Sequence, residues 1–323
     1  MKAARVTKLG HIELVDVDKP TLEEGKALLK VEVVAVCGSD LRLMYHGAEG
    51  WPFPLPVGAP AHECIGVVEE CDSNELEPGE RVLAIVGPPT CLAEYRLVDL
   101  NGLIKVPSDA DPDHLVMAQP LGTVLWACRR VNNIIGKDVV VLGQGGIGLL
   151  FNVVLRRMGA REVIGVDVKQ ARLDMGLKMG ATETVDASAR DVVEAVDELT
   201  GGEMADVVVE AAGEPETIGL SYKLAKSQGQ LVLFGIPRFG DVFELDYLDF
   251  FGRYLSVFSS SDAQSEPGLG SFRVAVDLVG RGEIDVSPML THCFSFTGSE
   301  VQRAFDLAYT RKEGVGRPVI HVN

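Results

Sequence analysis

Three residues that can bind zinc lie beside two apolar runs in the first third of the chain. Cys37 directly follows the apolar run 31–36, and His62 and Glu63 directly precede the run 64–69. Thiolate, imidazole and carboxylate are all zinc ligands, and three protein ligands leave a fourth position for water or substrate, as a catalytic zinc requires. The spacing therefore predicts a catalytic metal site.

The chemistry of such a site is the oxidation of an alcohol. Zinc polarises a bound alcohol and lowers its pKa, so that the alkoxide can release a hydride to a nicotinamide. Ser39 lies two residues from Cys37, where its hydroxyl could hydrogen-bond the alkoxide and begin a proton relay. A single cysteine after a strand is usually a small core residue, so the prediction depends on the three residues occurring together beside a dinucleotide motif.

That motif is the glycine-rich sequence GQGGIG at residues 143–148, which fits GxGxxG. It follows the apolar run 138–142 and opens a predicted helix that continues to about residue 158. The first glycine permits a tight turn, the second lets the backbone approach a pyrophosphate, and the third lets the helix pack on the strand. The N-terminus of the helix adds unpaired N–H groups and a positive dipole end. The predicted cofactor contacts are Gly143, Gly145, Gly146, Ile147 and Gly148.

An acidic residue ends the next predicted strand. Asp167 lies 19 residues after Gly148, where its carboxylate can accept hydrogen bonds from the adenosine ribose and would repel a 2′-phosphate. NAD is therefore expected in preference to NADP. Lys169 and Arg172 lie close enough in sequence to weaken that preference.

The order of apolar runs predicts an α/β protein with two domains, as the length of 323 residues also suggests. Up to about residue 100, short β-branched runs alternate with Gly and Pro turns, a pattern typical of a small β-barrel. From about residue 120, strands and helices alternate, which predicts a doubly wound parallel sheet. The predicted segments are 1–120 for the catalytic domain, 121–258 for the dinucleotide-binding domain and 259–323 for a return to the first domain.

Composition excludes several classes of partner. The formal net charge of −17 and the pI near 4.8 argue against nucleic acid or an anionic membrane as partner. The six cysteines form no CxxC pair, so reduced thiols and a cytoplasmic location are expected. No signal-peptide core follows Met1, and no apolar run approaches the roughly 18 residues of a membrane helix.

These motifs resemble those of the medium-chain dehydrogenase/reductase superfamily, specifically its zinc-containing alcohol and polyol dehydrogenases. The resemblance covers almost the whole chain. The family's GxCGSD motif corresponds to residues 36–40, and its GHE motif to residues 61–63 with alanine in place of glycine. Its EPL…HACRR segment, typical of sorbitol-dehydrogenase-like members, corresponds to residues 119–121 and 126–130.

The resemblance implies a GroES-like catalytic domain in two chain segments, a Rossmann domain between them, and a homodimer or homotetramer. It also implies one catalytic zinc on Cys37, His62 and Glu63, Ser39 next to the substrate oxygen, and Thr123 near the nicotinamide of NAD. The expected reaction moves a hydride between the nicotinamide and the carbinol carbon of a small alcohol, polyol, sugar or hydroxy acid.

Two departures from the family pattern concern zinc. The family's glutamate before Pro-Leu is Gln119 here. A neutral amide is a poorer ligand, so we expect Gln119 to donate a hydrogen bond near zinc rather than to bind it. The lobe that carries four cysteines for a structural zinc is missing, because Cys91 is the only cysteine between residues 86 and 93. No structural zinc is therefore predicted.

A third departure concerns the proton relay. Arg42 stands where many members carry a histidine, and an arginine stays protonated in proteins. Arg42 could instead hold a carboxylate, phosphate or sulfonate of the substrate by a bidentate contact, or it could simply face solvent. Tyr45 and His46 are alternative relay or substrate groups.

Two other classes of function remain open at this point. A zinc-independent quinone or enoyl reductase of the same superfamily usually lacks the Cys/His-Glu set and often uses NADPH. A non-catalytic NAD-binding protein on the same fold is the other alternative, which Gln119 and Arg42 leave open.

Overall fold

The computed structural model describes residues 1–238, 240–312 and 314–322. The chain forms two compact units, the first made of residues 1–122 and 264–323 and the second of residues 123–263. These divisions lie within five residues of the predicted boundaries after residues 120 and 258. Among the described residues, no helix combines the length and apolar character that a membrane span needs.

The first segment of the first unit is mostly strands, as its β-branched runs predict. Its elements are β1 (Lys2–Lys8), β2 (His11–Asp16), β3 (Lys26–Ala35), α1 (Gly38–His46), β4 (Glu63–Cys71), β5 (Arg81–Ile85), β6 (Tyr95–Asp99), β7 (Leu103–Lys105), α2 (Pro112–Leu115) and α3 (Ala118–Cys128), and the division between the units falls within α3.

The second unit alternates strands and helices. Its elements are β8 (Asp138–Leu142), α4 (Gly146–Arg157), β9 (Glu162–Asp167), α5 (Gln170–Lys178), β10 (Glu183–Asp186), α6 (Val192–Leu199), β11 (Ala205–Glu210), α7 (Pro215–Ser221), β12 (Ala225–Leu233), α8 (Tyr247–Gly252) and β13 (Ser256–Ser259).

The chain then returns to the first unit. The elements of this return segment are α9 (Gly270–Gly280), β14 (Leu290–Ser295), α10 (Gly298–Thr310) and β15 (Arg317–His321). The apolar pattern of the sequence predicts helices at 272–279 and 299–309 and strands at 291–296 and 318–322, and each of these falls on one of the four elements.

Strand β3 organises the first unit. Antiparallel β4 pairs along its whole length, from Ala27 opposite Cys71 to Ala35 opposite Glu63. The first half of β3 also pairs with β6 and its second half with β15. Because neighbours flank it throughout, β3 is buried along most of its length, and the sheet continues as β14-β15-β3-β4-β5-β7. The core beneath it includes Phe305 of α10, so the return segment completes the barrel-like domain.

The second unit has the strand order β10-β9-β8-β11-β12-β13, with every neighbouring pair parallel. Numbered along this unit, the order is 3-2-1-4-5-6, which is that of a Rossmann fold. All residues of β8 are buried, as expected for a central parallel strand covered on both faces. The order reverses between β8 and β11, and ligands bind at the carboxyl ends of the strands beside such a reversal.

Candidate functional site

The strand pairing of β3 with β4 brings the predicted zinc ligands together. Ala35 lies opposite Glu63, so the residues that follow β3 meet the residues that begin β4. The Sγ of Cys37 and one ligand atom each of His62 and Glu63 lie within 4.8 Å of one another. The three side chains converge as the sequence predicts.

Asp40 holds the imidazole of His62 in place. Oδ1 of Asp40 lies 2.8 Å from Nδ1 of His62, and its Oδ2 accepts a hydrogen bond of 2.9 Å from the backbone N–H of Cys37. Asp40 is almost completely buried, in the first turn of α1. A histidine that donates one ring N–H to a carboxylate presents its other nitrogen to a metal. Nε2 of His62 is therefore the ring nitrogen left available to a metal.

Of the two carboxylate oxygens of Glu63, one is paired and the other has no hydrogen-bond partner among the described residues. Its Oε2 forms a buried ion pair with the guanidinium of Arg317, the first residue of β15. Its Oε1 is buried, has no hydrogen-bond partner among the described residues, and lies 3.9 Å from Nε2 of His62. An unpartnered buried carboxylate oxygen is costly. A cation between these two atoms would remove that cost.

The charges around the cluster favour a metal-binding thiolate. Burial acts to raise the pKa of Cys37, but the charge of Arg317 and the hydrogen bond and charge of His62 outweigh it and lower that pKa to about 5. Burial is also the main reason why the pKa of Glu63 is raised to about 7, against the opposing charge of Arg317. The thiolate, the imidazole and the unpartnered carboxylate oxygen together suit zinc.

The other predicted catalytic residues occupy different surroundings. Ser39 is half-buried in the first turn of α1, beside Cys37, and Arg42 is half-buried one turn further along the same helix. His46 ends α1 and is exposed, with its Nε2 3.4 Å from the hydroxyl of Tyr309. Gln119 is buried in α3.

Sequence reasoning missed two residues that position the ligands. Asp40 belongs to the CGSD motif, so an acidic residue three positions after a cysteine ligand was an available signal. Arg317 lies 254 residues from Glu63 and begins an otherwise apolar strand, so local sequence carries no sign of the ion pair.

Gly143 and Gly148 form the tight turn and the close packing of helix on strand that the motif predicts. Gly143 has φ of +90°, in the left-handed region that favours glycine. A Cβ on Gly148 would collide with the carbonyl oxygen of Gly143, so only glycine allows α4 to begin this close to the turn. A Cβ on Gly145 would meet no protein atom within 4 Å. The open space at Gly145 is where a pyrophosphate could approach the backbone. Gly146 and Ile147 form the first turn of α4.

A buried polar pair beneath this turn was not predicted. Nε2 of Gln144 donates to the carbonyl oxygen of Val141 at 3.0 Å, and Nδ2 of Asn152 donates to Oε1 of Gln144 at 2.6 Å. Both side chains are fully or almost fully buried. The pair fixes α4 on β8, because burial without these hydrogen bonds would be unfavourable.

Asp167 is buried at the end of β9 and accepts hydrogen bonds at both oxygens. Oδ2 accepts from the backbone N–H of Gln144 at 2.9 Å, and Oδ1 from the N–H groups of Val168 and Lys169 at 2.8 and 3.1 Å. Nη1 of Arg172 lies 3.4 Å from Oδ2, the longest of the four contacts. The carboxylate thus ties the glycine turn to the end of the neighbouring strand.

Lys169 and Thr123 lie in the same unit. Lys169 is exposed and precedes the first residue of α5. Thr123 is buried in α3, at the start of the second unit.

Comparison with known families agrees with this geometry. The alcohol dehydrogenase GroES-like domain family matches residues 23–108, and the zinc-binding dehydrogenase family matches residues 146–280. The chain belongs to the zinc-containing medium-chain dehydrogenase/reductase superfamily. It is a zinc-dependent alcohol oxidoreductase with a nicotinamide cofactor.

Individual relatives match along nearly the whole chain. L-threonine 3-dehydrogenase of Bacillus velezensis is 26% identical, and the match covers 95% of this chain and 94% of that protein. L-threonine 3-dehydrogenase of Bacillus subtilis is 27% identical, and the match covers 91% of this chain and 91% of that protein. A candidate zinc-binding dehydrogenase from Sinorhizobium meliloti, solved with NADP bound, has a TM-score of 0.86 at 28% identity and covers 99% of both chains. An Escherichia coli oxidoreductase of unknown specificity shares the fold, with a TM-score of 0.89, 23% identity and complete coverage of both chains.

We expect Asp40→Asn to weaken zinc binding by about 10- to 100-fold, the usual effect of removing a partner of a metal-ligating histidine. The amide removes the negative charge that orients the imidazole of His62. Competition with a chromophoric chelator measures the affinity. Asp277→Asn is the matched control, because Asp277 pairs with Arg281 on the surface of α9. Equal zinc affinities in the two variants would contradict the role assigned to Asp40.

We expect Gly145→Ala to weaken binding of the nicotinamide cofactor by roughly tenfold or more, since the methyl group fills space that the second glycine leaves for a pyrophosphate. The free energy of unfolding should stay within about 0.5 kcal/mol of wild type, because φ of −78° suits alanine and no protein atom lies within 4 Å. Calorimetric titration and urea unfolding measure the two effects. Gly252→Ala, at the end of α8, is the control, and an unchanged affinity for Gly145→Ala would count against this site.

Proposed function

We propose that the protein is an NAD-linked dehydrogenase that oxidises a small hydroxylated substrate at a zinc ion held by Cys37, His62 and Glu63. One observation carries the proposal. The unpartnered Oε1 of Glu63 lies 3.9 Å from Nε2 of His62, while Nδ1 of the same ring is engaged by Asp40. Both atoms therefore present lone pairs to the same space, beside a cysteine whose thiolate is favoured.

When bound, zinc would supply Lewis acidity that lowers the pKa of the substrate hydroxyl. The chain's own residues do the remaining work. Asp40 keeps the ring of His62 oriented, and Arg317 holds one oxygen of Glu63 so that the other stays available. Ser39 Oγ accepts the proton of the substrate hydroxyl and passes it toward solvent. The buried amide of Gln119 serves as a hydrogen-bond donor near the substrate oxygen.

The zinc-independent reductase of the same superfamily is the weaker alternative. Such a reductase has no use for a buried carboxylate oxygen without a partner, whose burial would only cost stability. The complete set of Cys37, His62 and Glu63 with its positioning residues therefore favours the dehydrogenase.

We propose NAD as the preferred coenzyme. The carboxylate of Asp167 has about four acceptor positions, and four donors already approach it. The longest contact, at 3.4 Å to Arg172, is the one that a ribose hydroxyl can replace at least cost. A 2′-phosphate would instead meet the negative charge of Asp167, although the guanidinium of Arg172 would offset part of that repulsion.

We expect Asp167→Ser to lower the ratio of kcat/KM with NAD to kcat/KM with NADP by at least about tenfold, because a like-charge contact costs a few kcal/mol. Arg172→Gln should change the same ratio in the opposite direction. Initial rates with each coenzyme at a fixed alcohol concentration give the ratios. Asp174→Ser is the control, since Asp174 is exposed on α5. Among the described residues, its side chain accepts a hydrogen bond from Gln170. A ratio that Asp167→Ser leaves unchanged would overturn the preference.

We propose further that the substrate carries an anionic or highly polar group near Arg42. Arg42 lies on α1, the helix that follows Cys37, and is half-buried. Arginine binds carboxylate or phosphate in a bidentate manner. The similarity to L-threonine 3-dehydrogenases supports this class, since the carboxylate of threonine is separated from its hydroxylated carbon by a single carbon atom.

For Arg42→Ala we expect kcat/KM for hydroxy acids and hydroxy amino acids to fall by about tenfold or more, while kcat/KM for neutral polyols changes little. A lost hydrogen bond to a charged group corresponds to about 1.5–3 kcal/mol. Steady-state rates over a matched panel of neutral and acidic alcohols provide the comparison. Arg281→Ala, which removes an exposed arginine of the return segment, is the control. An equal loss for both substrate classes would sink the assignment.

We also propose that the protein is a homodimer or homotetramer. Strand β13 is at the edge of the second unit's sheet, and exposed apolar side chains lie on it and in the chain segment before it, including Leu248, Tyr254 and Val257, at 80%, 70% and 41% exposure. Edge strands and apolar patches of this kind are usually covered. A second copy of this chain is the proposed cover.

Val257→Asp should therefore shift the mass in solution from a multiple of 34.7 kDa toward 34.7 kDa. Size-exclusion chromatography with light scattering measures it. Val274→Asp is the matched control and should leave the mass unchanged, because Val274 is equally exposed, at 42%, but lies on α9 of the first unit. A wild-type protein that is already monomeric at micromolar concentration would contradict the proposal.

A further inference from the structure

A second group of metal-ligating side chains lies outside the Cys37–His62–Glu63 set. Asp113 of α2, Cys293 of β14 and His321 of β15 place one ligand atom each within 4.8 Å of one another. Nε2 of His321 is 2.8 Å from Oδ1 of Asp113 and 3.5 Å from Sγ of Cys293. Nδ1 of the same ring lies 3.3 Å from that Sγ, so the ring must turn slightly for Nε2 to share an ion with the sulfur. We call this group the Asp113 cluster.

The backbone holds the cluster in place. Strands β14 and β15 are parallel neighbours, with Phe294 opposite Ile320 and Ser295 opposite His321. Phe294 and Ile320 face the core, so Cys293 and His321 project from the opposite face of the same strand pair, where both are exposed although Val319 and Arg317 on that face of β15 are buried. Asp113 is in the first turn of α2, where the side chain of Asp111 accepts its backbone N–H. Three ligands on regular elements need little rearrangement to bind an ion.

The distances suit a tetrahedral ion. With a Zn–S bond of about 2.3 Å, a Zn–N bond of about 2.05 Å and a Zn–O bond of about 2.0 Å, a tetrahedral ion holds the nitrogen and sulfur about 3.6 Å apart and the nitrogen and oxygen about 3.3 Å apart. The first value matches the 3.5 Å between Nε2 of His321 and Sγ of Cys293. The second requires Oδ1 of Asp113 to move by about half an ångström from its present 2.8 Å.

We propose that the Asp113 cluster is a second metal site, for zinc or another divalent cation of similar softness. A thiolate with an imidazole selects such ions over magnesium and calcium. The thiolate and the carboxylate together neutralise a divalent charge. Three protein ligands leave the fourth position to water, and the exposure of Cys293 and His321 leaves the ion able to exchange. The site therefore holds zinc less tightly than the buried set.

The Asp113 cluster is separate from the catalytic set. Arg317, which contacts Glu63, and His321 lie at opposite ends of β15, roughly 13 Å apart for four residues of strand. The cluster is also not the four-cysteine lobe that the family uses for structural zinc, which is missing around Cys91. The proposal revises the sequence-based expectation of a single zinc by adding one exchangeable equivalent.

Zinc titration by calorimetry tests this proposal on the full-length protein, after dialysis against a weak chelator that leaves the tightly held zinc in place. Wild type should take up one further equivalent. Cys293→Ser and His321→Gln should each weaken that binding by more than about tenfold. The matched controls Cys71→Ser and His292→Gln, which replace a half-buried thiol and the imidazole next to Cys293, should bind as wild type does. Cys37→Ser should lose the tightly held zinc and keep the exchangeable equivalent.

Alkylation of Cys293 by iodoacetamide, followed by peptide mass spectrometry, gives an independent measurement. Saturating zinc should slow the alkylation of Cys293 by at least about tenfold while leaving that of Cys71 unchanged. The proposal is overturned if wild type takes up no further zinc, or if the control variants lose it as well. It is equally overturned if Cys293 reacts rapidly with and without zinc, which would make the cluster a reactive thiol with a histidine base.

Discussion

The buried ion pair between Glu63 and Arg317 connects the two chain segments of the first unit at the candidate metal site. Glu63 begins β4 and Arg317 begins β15, and both side chains are almost completely buried. A buried carboxylate is tolerated only with a partner, and loss of one partner of such a pair costs about 3–5 kcal/mol. The return segment must therefore dock on β3 before the candidate metal site is complete. Folding and the chemistry of the site depend on the same contact.

Because part of the site forms only when the return segment docks, the sequence could predict only the residues that local patterns mark. Cys37, His62 and Glu63 stand at the ends of apolar strands, so their types and spacing indicated a metal site, and the glycine motif at 143–148 indicated the turn before α4. Most of the long buried strands were also predicted to within a few residues, since β-branched runs are strong signals. The short strands β10 and β13, of four residues each, were not predicted.

Contacts between residues that are distant in the chain could not be predicted from the sequence. Arg317 and the Asp113 cluster depend on the docking of the return segment, which no local pattern specifies. Helix α1 was also not predicted, because it begins directly at Gly38 within a motif that we interpreted by its ligands alone. The hydrogen bonds of Asp40 follow from that helix, whose first turn places the carboxylate within hydrogen-bond distance of the backbone N–H of Cys37 and of Nδ1 of His62.

The buried Gln144 restricts how this chain can vary during evolution. A Cβ on Gly165 would lie 2.7 Å from Cδ of Gln144, and a Cβ on Gly176 would lie 2.6 Å from its Oε1. Neither glycine has a positive φ, so the backbone conformation does not require glycine at either position. The volume of the Gln144 side chain is what excludes a Cβ at both positions. Homologues with a smaller residue at position 144 are free to carry alanine or serine at 165 and 176, so these three positions should covary across the family as one unit.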